Sequence, residues 1–346
     1  MREILEKLTA MRGISGFEYR IADAVKELFL PYTDDVYTDT LGNVIAVKKS
    51  SYENAKTVMI EAHMDEIGLM VREIDEKGFI GFVSIGGIDR RILTGSEVII
   101  HGKRDIKGVI GAKPPHLQES GEADKAAKLD EMAIDTGLLA DDVKKLVSVG
   151  DAVTLKGDFT ALLGDNIASK TMDDRAGVAV LVDVARSLKD TEIPADVYFV
   201  CAVCEEIGSM GAKTAGYAIE ADAAIAIDVT HGITPDNSKS AFELGSGAAI
   251  AIGPNIHPAF GRKLIQIAKD NEIKHTIEVE GGDTGTDAWL LQVAGTGIPT
   301  ALLSIPLRYM HTTVETLSVK DVEAVSGLIA EFLRTSCADM EEWLCI

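Results

Sequence analysis

Histidine and acidic side chains occur at five places that are far apart in the sequence but similar in their local setting. Each place lies at the end of an apolar run or just before a predicted helix. Imidazole and carboxylate groups are ligands that Zn²⁺, Co²⁺ and Mn²⁺ prefer in proteins. Two histidines and three carboxylates suffice for two ions if one carboxylate bridges them. The five places are His63 with Asp65, Asp173 with Asp174, Glu205 with Glu206, Asp228, and His311.

The elements that must position these side chains also follow a pattern. Apolar strands are predicted at 57–62, 196–204, 223–227 and 299–305, just before four of the places, and a helix at 174–188 follows the fifth. Ligands of open α/β sheets bind outside the carboxyl ends of the strands. Taken singly, each group is more common as a helix N-cap, a turn former or a solvated loop residue. Their joint position at one sheet edge favours a shared metal site.

The alternation of strands and helices predicts an α/β fold, with a mostly parallel twisted sheet and helices on both faces. Between residues 67 and 160 the pattern changes to short β-rich segments separated by glycines. This change predicts a small inserted β-rich domain. We therefore expect one domain of residues 1–66 and 161–346, interrupted by a second domain of residues 67–160.

Local signals predict further helices at 284–294 and 319–335. Ser318 is the expected N-cap of the latter, and Asp321 three residues on nearly completes a capping box. His116, which follows two prolines, is a candidate for a subunit contact.

Composition limits the classes of function. The 346 residues include 34 Lys and Arg and 55 Asp and Glu, which gives a net charge of −21. A protein of this charge repels the phosphate backbone, so nucleic acid is an unsuitable partner. No run of 18 apolar residues predicts a membrane span, and the amino terminus lacks the apolar region of a signal peptide. Four cysteines do not make a disulfide framework. These features predict a cytoplasmic, enzyme-sized protein.

Six short segments together carry a resemblance. They are Ala62-His63-Met64-Asp65-Glu66-Ile67-Gly68, Asp173-Asp174-Arg175-Ala176-Gly177, Glu205-Glu206-Ile207-Gly208, Ala226-Ile227-Asp228, Gly285-Thr286-Asp287-Ala288 and Ile305-Pro306-Leu307-Arg308-Tyr309-Met310-His311. The chain resembles the dinuclear-metal aminopeptidases of the glutamyl aminopeptidase and tetrahedral aminopeptidase family. The match spans nearly the whole chain in family order.

The resemblance implies a role for each site residue. Asp173 would bridge two divalent ions, zinc or cobalt. His63 and Asp228 would be the remaining ligands of one ion, and Glu206 and His311 those of the other. In addition, Glu205 would be the general base and Asp65 the partner that orients His63. The resemblance further implies that the inserted domain mediates dimerisation and that dimers assemble into a tetrahedral dodecamer with the active sites inside.

The implied chemistry is hydrolysis of amino-terminal residues from short peptides by a water that bridges the two metals. A carboxylate beside the water takes its proton and gives it to the leaving amine. Adjacent Glu205 and Glu206 suit two different roles because successive side chains at a strand end diverge. For the substrate pocket the candidates are Thr284, Gly285, Asp287 and Arg308, although an ion pair for Arg308 and a helix-capping loop for the others are open alternatives.

Three rival functions stay open at this point. One is a related two-metal deacylase or carboxypeptidase. A second is an endoglucanase, although an aromatic content of 5 % leaves few platforms for sugar stacking and the adjacent glutamates do not flank a bond as glycosidases require. The third is a non-catalytic metal-binding scaffold.

Overall fold

A large mixed sheet forms the centre of the structure, a computed structural model that describes residues 1–114, 125–237 and 239–344. Its central strands are apolar runs buried on both faces, as strands covered by helices on each side must be. The eleven strands that join it within these ranges are β1 (Asp35–Thr38), β2 (Val44–Lys48), β3 (Lys56–His63), β10 (Thr160–Ala161), β11 (Asn166–Ser169), β12 (Ala195–Ala202), β13 (Ala223–His231), β14 (Ala248–Ile252), β15 (His275–Val279), β16 (Thr300–Arg308) and β17 (Glu315–Ser318).

The sheet is parallel at its centre and antiparallel on its flanks. The strand order is β1-β2-β12-β3-β13-β16-β17-β11-β10, and β14 and β15 extend from β16 on a side branch. Strands β12, β3, β13 and β16 run parallel to one another, whereas β2 and β17 join them antiparallel. The predicted parallel sheet is therefore found where the site-bearing strands lie. The antiparallel flanks are additions that the sequence pattern did not indicate.

A closed six-stranded barrel occupies the β-rich part of the chain, within the described residues. Its core consists of apolar side chains, which alternate with exposed ones along the strand Asp105–Ala112. Residues 115–124, which include His116, lie outside the described residues. The barrel strands are β4 (Gly68–Ile74), β5 (Ile80–Ile85), β6 (Glu97–His101), β7 (Asp105–Ala112), β8 (Met132–Asp135) and β9 (Ala152–Leu155).

Helices pack on both faces of the large sheet. Val58 and Ile60 of β3 lie in one hydrophobic core with the helix that begins at Met172, whereas Met59 between them belongs to a core on the opposite face. No described helix is both long and apolar enough to cross a bilayer. The helices are α1 (Arg2–Thr9), α2 (Ala22–Phe29), α3 (Ala140–Leu146), α4 (Met172–Ser187), α5 (Met210–Ile219), α6 (Pro258–Asp270), α7 (Ala288–Leu291), α8 (Val319–Thr335) and α9 (Met340–Leu344).

Three local predictions need correction. The helix expected at 284–294 is one turn, α7, because the glycine-rich residues before it form a loop. Asp228 lies inside β13 rather than at its end, since the strand continues to His231. Ser318 caps α8 through the Lys320 N–H, as predicted, but Asp321 does not complete the capping box. Its carboxylate instead accepts hydrogen bonds from the backbone of Gly245 and Gly247.

Candidate active site

Asp173 lies between two histidines that come from distant parts of the chain. Its Oδ1 is 3.2 Å from Nε2 of His63, at the end of β3. Its Oδ2 is 3.2 Å from Nε2 of His311, three residues after β16. The backbone angles of Asp173 and Asp174 are not helical, so both side chains leave the start of α4 before its regular turns begin, and the peptide bond between them is cis. The carboxylate therefore presents one oxygen to each imidazole.

Glu206 completes the cluster on the His311 side. Its Oε1 lies 3.3 Å from Nε2 of His311, and donor atoms of His63, Asp173 and Glu206 all lie within 4.8 Å of one another. Nδ1 of His311 is 2.7 Å from the carbonyl oxygen of Gly87, which can only accept a hydrogen bond. Nδ1 is thus the protonated nitrogen, and in the neutral imidazole Nε2 offers its lone pair to the cluster, as a metal ligand must.

Asp65 connects His63 to the turn that carries the two glutamates. Its Oδ1 accepts the Glu205 N–H at 3.1 Å, and its Oδ2 accepts the Glu206 N–H at 3.2 Å and the Ser15 hydroxyl at 2.6 Å. Oδ1 also lies 3.6 Å from Nδ1 of His63, slightly beyond hydrogen-bonding distance. Asp65 is fully buried, so a single carboxylate holds the 205–206 backbone and faces the imidazole of His63.

Burial and mutual repulsion shape the charges of the cluster. Burial raises the pKa of Glu205 to about 9, and burial together with neighbouring carboxylates raises the pKa of Asp174 and of Asp228 well above the usual range. For His311, burial acts to lower the pKa, but hydrogen bonds with Asp173 and Glu206 outweigh it and raise the pKa to about 11. The cluster thus retains protons to balance its excess negative charge.

These observations test whether the cluster fits divalent cations. The donors are imidazole nitrogens and carboxylate oxygens, the set that zinc and cobalt bind. The Asp174 Oδ2 is buried and has no hydrogen-bond partner among the described residues. Cations would balance the carboxylates that otherwise hold protons. The residues fit a metal centre.

Glu315 is a site residue that the sequence did not reveal. It lies on β17, is 2 % exposed, and accepts the His311 N–H at 2.8 Å and the Asp173 N–H at 3.2 Å through its two oxygens. Burial and the charge of Asp173 raise its pKa, whereas the two N–H groups favour its ionised form. The one available signal was an acidic residue in a short β-favouring run, Val314-Glu315-Thr316-Leu317.

A buried ion network docks the amino-terminal segment beneath the site. Arg175, fully buried at the start of α4, donates to the carbonyl oxygens of Leu8, Met11 and Gly13 and to Glu66. Lys170 binds the other oxygen of Glu66 at 2.5 Å. This network fixes the segment that carries Ser15, and the Ser15 hydroxyl reaches Asp65 from there.

An open cavity of about 950 Å³ leads to the cluster. Asp173, Glu205, Glu206, Asp228 and His311 line it, as do the predicted pocket residues Thr284 and Gly285.

The other two predicted pocket residues are not part of this lining. Asp287 is 2 % exposed, and burial raises its pKa. Arg308 is partly buried at the end of β16.

Comparison with known proteins identifies the family. The sequence model of the M42 glutamyl aminopeptidase family matches residues 42–328. The chain belongs to the M42 glutamyl aminopeptidase family. A lysyl aminopeptidase of Pyrococcus furiosus is 38 % identical over 96 % of this chain and 96 % of its own length.

Solved structures agree with this assignment. An aminopeptidase from the archaeon Desulfurococcus kamchatkensis superimposes with a TM-score of 0.92 at 35 % identity, covering 99 % of this chain and 97 % of its own. The TET1 peptidase of Pyrococcus horikoshii, which can assemble into a tetrahedron or a large octahedral shell, gives 0.85 at 32 % identity, with 96 % and 99 % covered. This M42 protein is an aminopeptidase, a hydrolase of peptide bonds, and the family identified from its motifs is confirmed.

Proposed function

We propose that this aminopeptidase holds two divalent cations, zinc or cobalt, with Asp173 as the bridging ligand. The observation that carries the proposal is that the two oxygens of Asp173 face two different histidines, each at 3.2 Å. His63 and Asp228 would complete the ligands of one cation, and Glu206 and His311 those of the other. Cations held there supply Lewis-acid activation of the substrate carbonyl and of the attacking water.

Glu205 is the proton carrier in this proposal. Its Oε2 lies 4.0 Å from Nε2 of His63, so its carboxylate is next to the cluster without belonging to the tight donor group. Ser209 donates to its Oε1 at 3.4 Å, which leaves Oε2 free to accept a proton from the attacking water. Cations bound at the cluster would favour the ionised form of this carboxyl group, which could then take the proton and pass it to the leaving amine.

Asp65 acts as a positioning residue. It touches the backbone of both glutamates and faces Nδ1 of His63. This contact directs Nε2 of His63 towards the cluster.

The free amino terminus of a peptide is the group that the cavity suits. Carboxylates of Asp173, Glu205, Glu206 and Asp228 line its inner end, and they attract an ammonium group. Hydrolysis would then proceed from the amino terminus. We assign substrate contact to Thr284 and Gly285, and propose no direct contact for Asp287 and Arg308.

The proposal extends to assembly and location. Residues 1–66 and 161–346 would form the catalytic domain, and residues 67–160 a dimerisation domain that joins copies into a homo-oligomer of tetrahedral type. Large apolar side chains on this segment support a contact surface: Val109, Leu139 and Val149 are 49 %, 78 % and 67 % exposed. The buried free thiols of Cys201 and Cys204 agree with a reducing cytoplasmic location.

The test is hydrolysis of a panel of aminoacyl-nitroanilides by protein loaded with zinc or cobalt, with metal content measured on the same samples. Free amino termini should be required, so N-acetylated substrates should resist cleavage. Cleavage of blocked substrates would instead indicate a deacylase, and sugar release from cellulose an endoglucanase. Metal-loaded protein that cleaves none of these substrates would be a binding scaffold.

A charge-neutral variant tests the role of Glu205. Glu205→Gln should keep two metal ions per chain and lower kcat by about a hundredfold or more, because a proton carrier contributes that much. Glu76→Gln, at an exposed position in the β4–β5 turn, is the matched control and should leave kcat unchanged. Unchanged turnover in Glu205→Gln would remove Glu205 from this role.

A further inference from the structure

A buried carboxylate on the cavity wall, outside the metal cluster, has no assigned role. Glu278 on β15 is 7 % exposed and lines the cavity. Its Oε2 accepts the Ser304 hydroxyl at 2.6 Å, and its Oε1 accepts the Thr230 hydroxyl. Among the described residues these hydroxyls are its side-chain partners, and no ion pair joins it to a Lys, Arg or His. A buried carboxylate without a counter-charge is costly unless a cation reaches it.

The register of the sheet places this carboxylate at a defined distance from the metal cluster. Thr230, which touches Glu278, lies two residues after Asp228 on β13, so the two side chains share one face and lie about 7 Å apart along the strand. Ser304, the other partner, is opposite Asp228 in the parallel β13–β16 pair. Both Asp228 and Thr230 line the cavity. The carboxylate of Glu278 therefore lies within about one strand step of Asp228.

That distance matches the reach of a long cationic side chain. A lysine carries its ammonium group on a four-carbon stem, which spans about 6 Å from the α-carbon when extended. With its α-amine among the cluster carboxylates, an amino-terminal lysine or arginine would bring its charged end to Glu278.

The other charged groups that line the cavity do not prevent a cationic side chain from binding at Glu278. Lys239 also lines the cavity, but it is exposed to water that screens its charge. Glu280 adds a second, less buried carboxylate to the same wall. Burial raises the pKa of Glu278, while the two hydroxyls and His231, which also lines the cavity, act to lower it, so an incoming cation would favour its ionised form.

We propose that Glu278 determines specificity and receives the ammonium or guanidinium group of an amino-terminal lysine or arginine. This inference rests on the proposed function, because it needs the α-amine and the scissile bond at the metal cluster. Thr230 and Ser304 hold the carboxylate in place, and its charge excludes acidic side chains from the same position.

The test compares two substrates of nearly equal length, lysyl-nitroanilide and norleucyl-nitroanilide, which differ in the terminal charge. The metal-loaded wild-type protein should show a kcat/KM at least about tenfold higher for the lysyl substrate. Glu278→Gln keeps the volume and an acceptor for one hydroxyl but removes the charge. It should lower the lysyl-to-norleucyl ratio by about tenfold or more, whereas the control Glu323→Gln, at an exposed position on α8 outside the cavity lining, should change this ratio less than about twofold.

Each result of this experiment decides between readings. A wild-type ratio near one, or a ratio that Glu278→Gln leaves unchanged, overturns the inference while leaving the aminopeptidase assignment intact. A proportional loss of both activities in Glu278→Gln shows a structural role and also overturns it. Failure of the metal-loaded wild type to cleave either substrate refutes the proposed function itself.

A second measurement needs no variant. Free lysine should inhibit norleucyl hydrolysis by the wild type at least about tenfold more strongly than free norleucine. Equal inhibition overturns the inference.

Discussion

Substitution of Glu315 tests whether the metal site depends on a residue that contacts only its backbone. Glu315→Gln leaves one side-chain oxygen to serve two N–H groups, those of His311 and Asp173. The amide nitrogen then faces a second donor. A buried donor without a partner costs about 1–3 kcal/mol, so the variant should lose about that much unfolding free energy. Glu315→Ala, which leaves both donors unpaired, should lose about 2–6 kcal/mol.

The assay combines stability and metal content. Urea unfolding of metal-free protein should rank wild type above Glu315→Gln and Glu315→Ala last. Both variants should bind zinc more weakly, because His311 and Asp173 are both positioned by this carboxylate. The matched control is Glu323→Gln on the exposed face of α8, which should change stability by less than about 0.5 kcal/mol. If Glu315→Gln matches wild type in both measurements, the positioning argument is refuted.

Three further substitutions probe the surroundings of the cluster. Gly177→Ala places a methyl group 2.2 Å from Asp174 Oδ2, so the variant should lose about 1–3 kcal/mol of stability and most of its bound metal. The control Gly327→Ala adds a methyl group with nothing within 4 Å and should be tolerated. Equal melting temperatures for the two variants would contradict this expectation. Burial lowers the pKa of Lys170 to about 8 against about 10.4 in the unfolded chain, so the unfolded state binds more protons between these values. The unfolding free energy of the wild type relative to that of Lys170→Met should therefore rise by about 3 kcal/mol from pH 8 to pH 10.5. If urea titrations show that this stability difference stays constant or falls with pH, the pKa of Lys170 is not lowered in the folded protein. Ser15→Ala removes the hydroxyl group that lies 2.6 Å from Asp65. The variant should lose about 1 kcal/mol of stability and should have a lower kcat. An unaltered kcat in steady-state assays would show that Ser15 does not position Asp65.

The amino-acid sequence alone determined the central strands and the identity of the cluster residues. β3, β12 and β16 are rich in apolar residues, and most of their residues are buried, as expected for strands that are covered on both faces. The β-rich character of residues 67–160 was also predicted, and the strands β4 to β9 lie within this range. The pattern of apolar residues within a short segment predicts which of its residues are buried, and this pattern can be read without knowing the rest of the fold.

Other features of the cluster depended on contacts between distant segments. Glu315 joins the site because β17 pairs antiparallel with β16 and brings its carboxylate to the backbone of Asp173. The carbonyl of Gly87, which sets the tautomer of His311, follows a barrel strand more than two hundred residues earlier.

The position of Glu278 in the substrate cavity could not be predicted from the sequence either. In sequence it is one acidic residue within a strand, and its position beside Thr230 and Ser304 follows from the order in which β13, β16, β14 and β15 pair. Periodicity predicts which face of an element is buried, but it carries no information on which strands become neighbours. The tertiary structure alone therefore decided which oxygen faces which imidazole and where the cavity carries its unpaired charge.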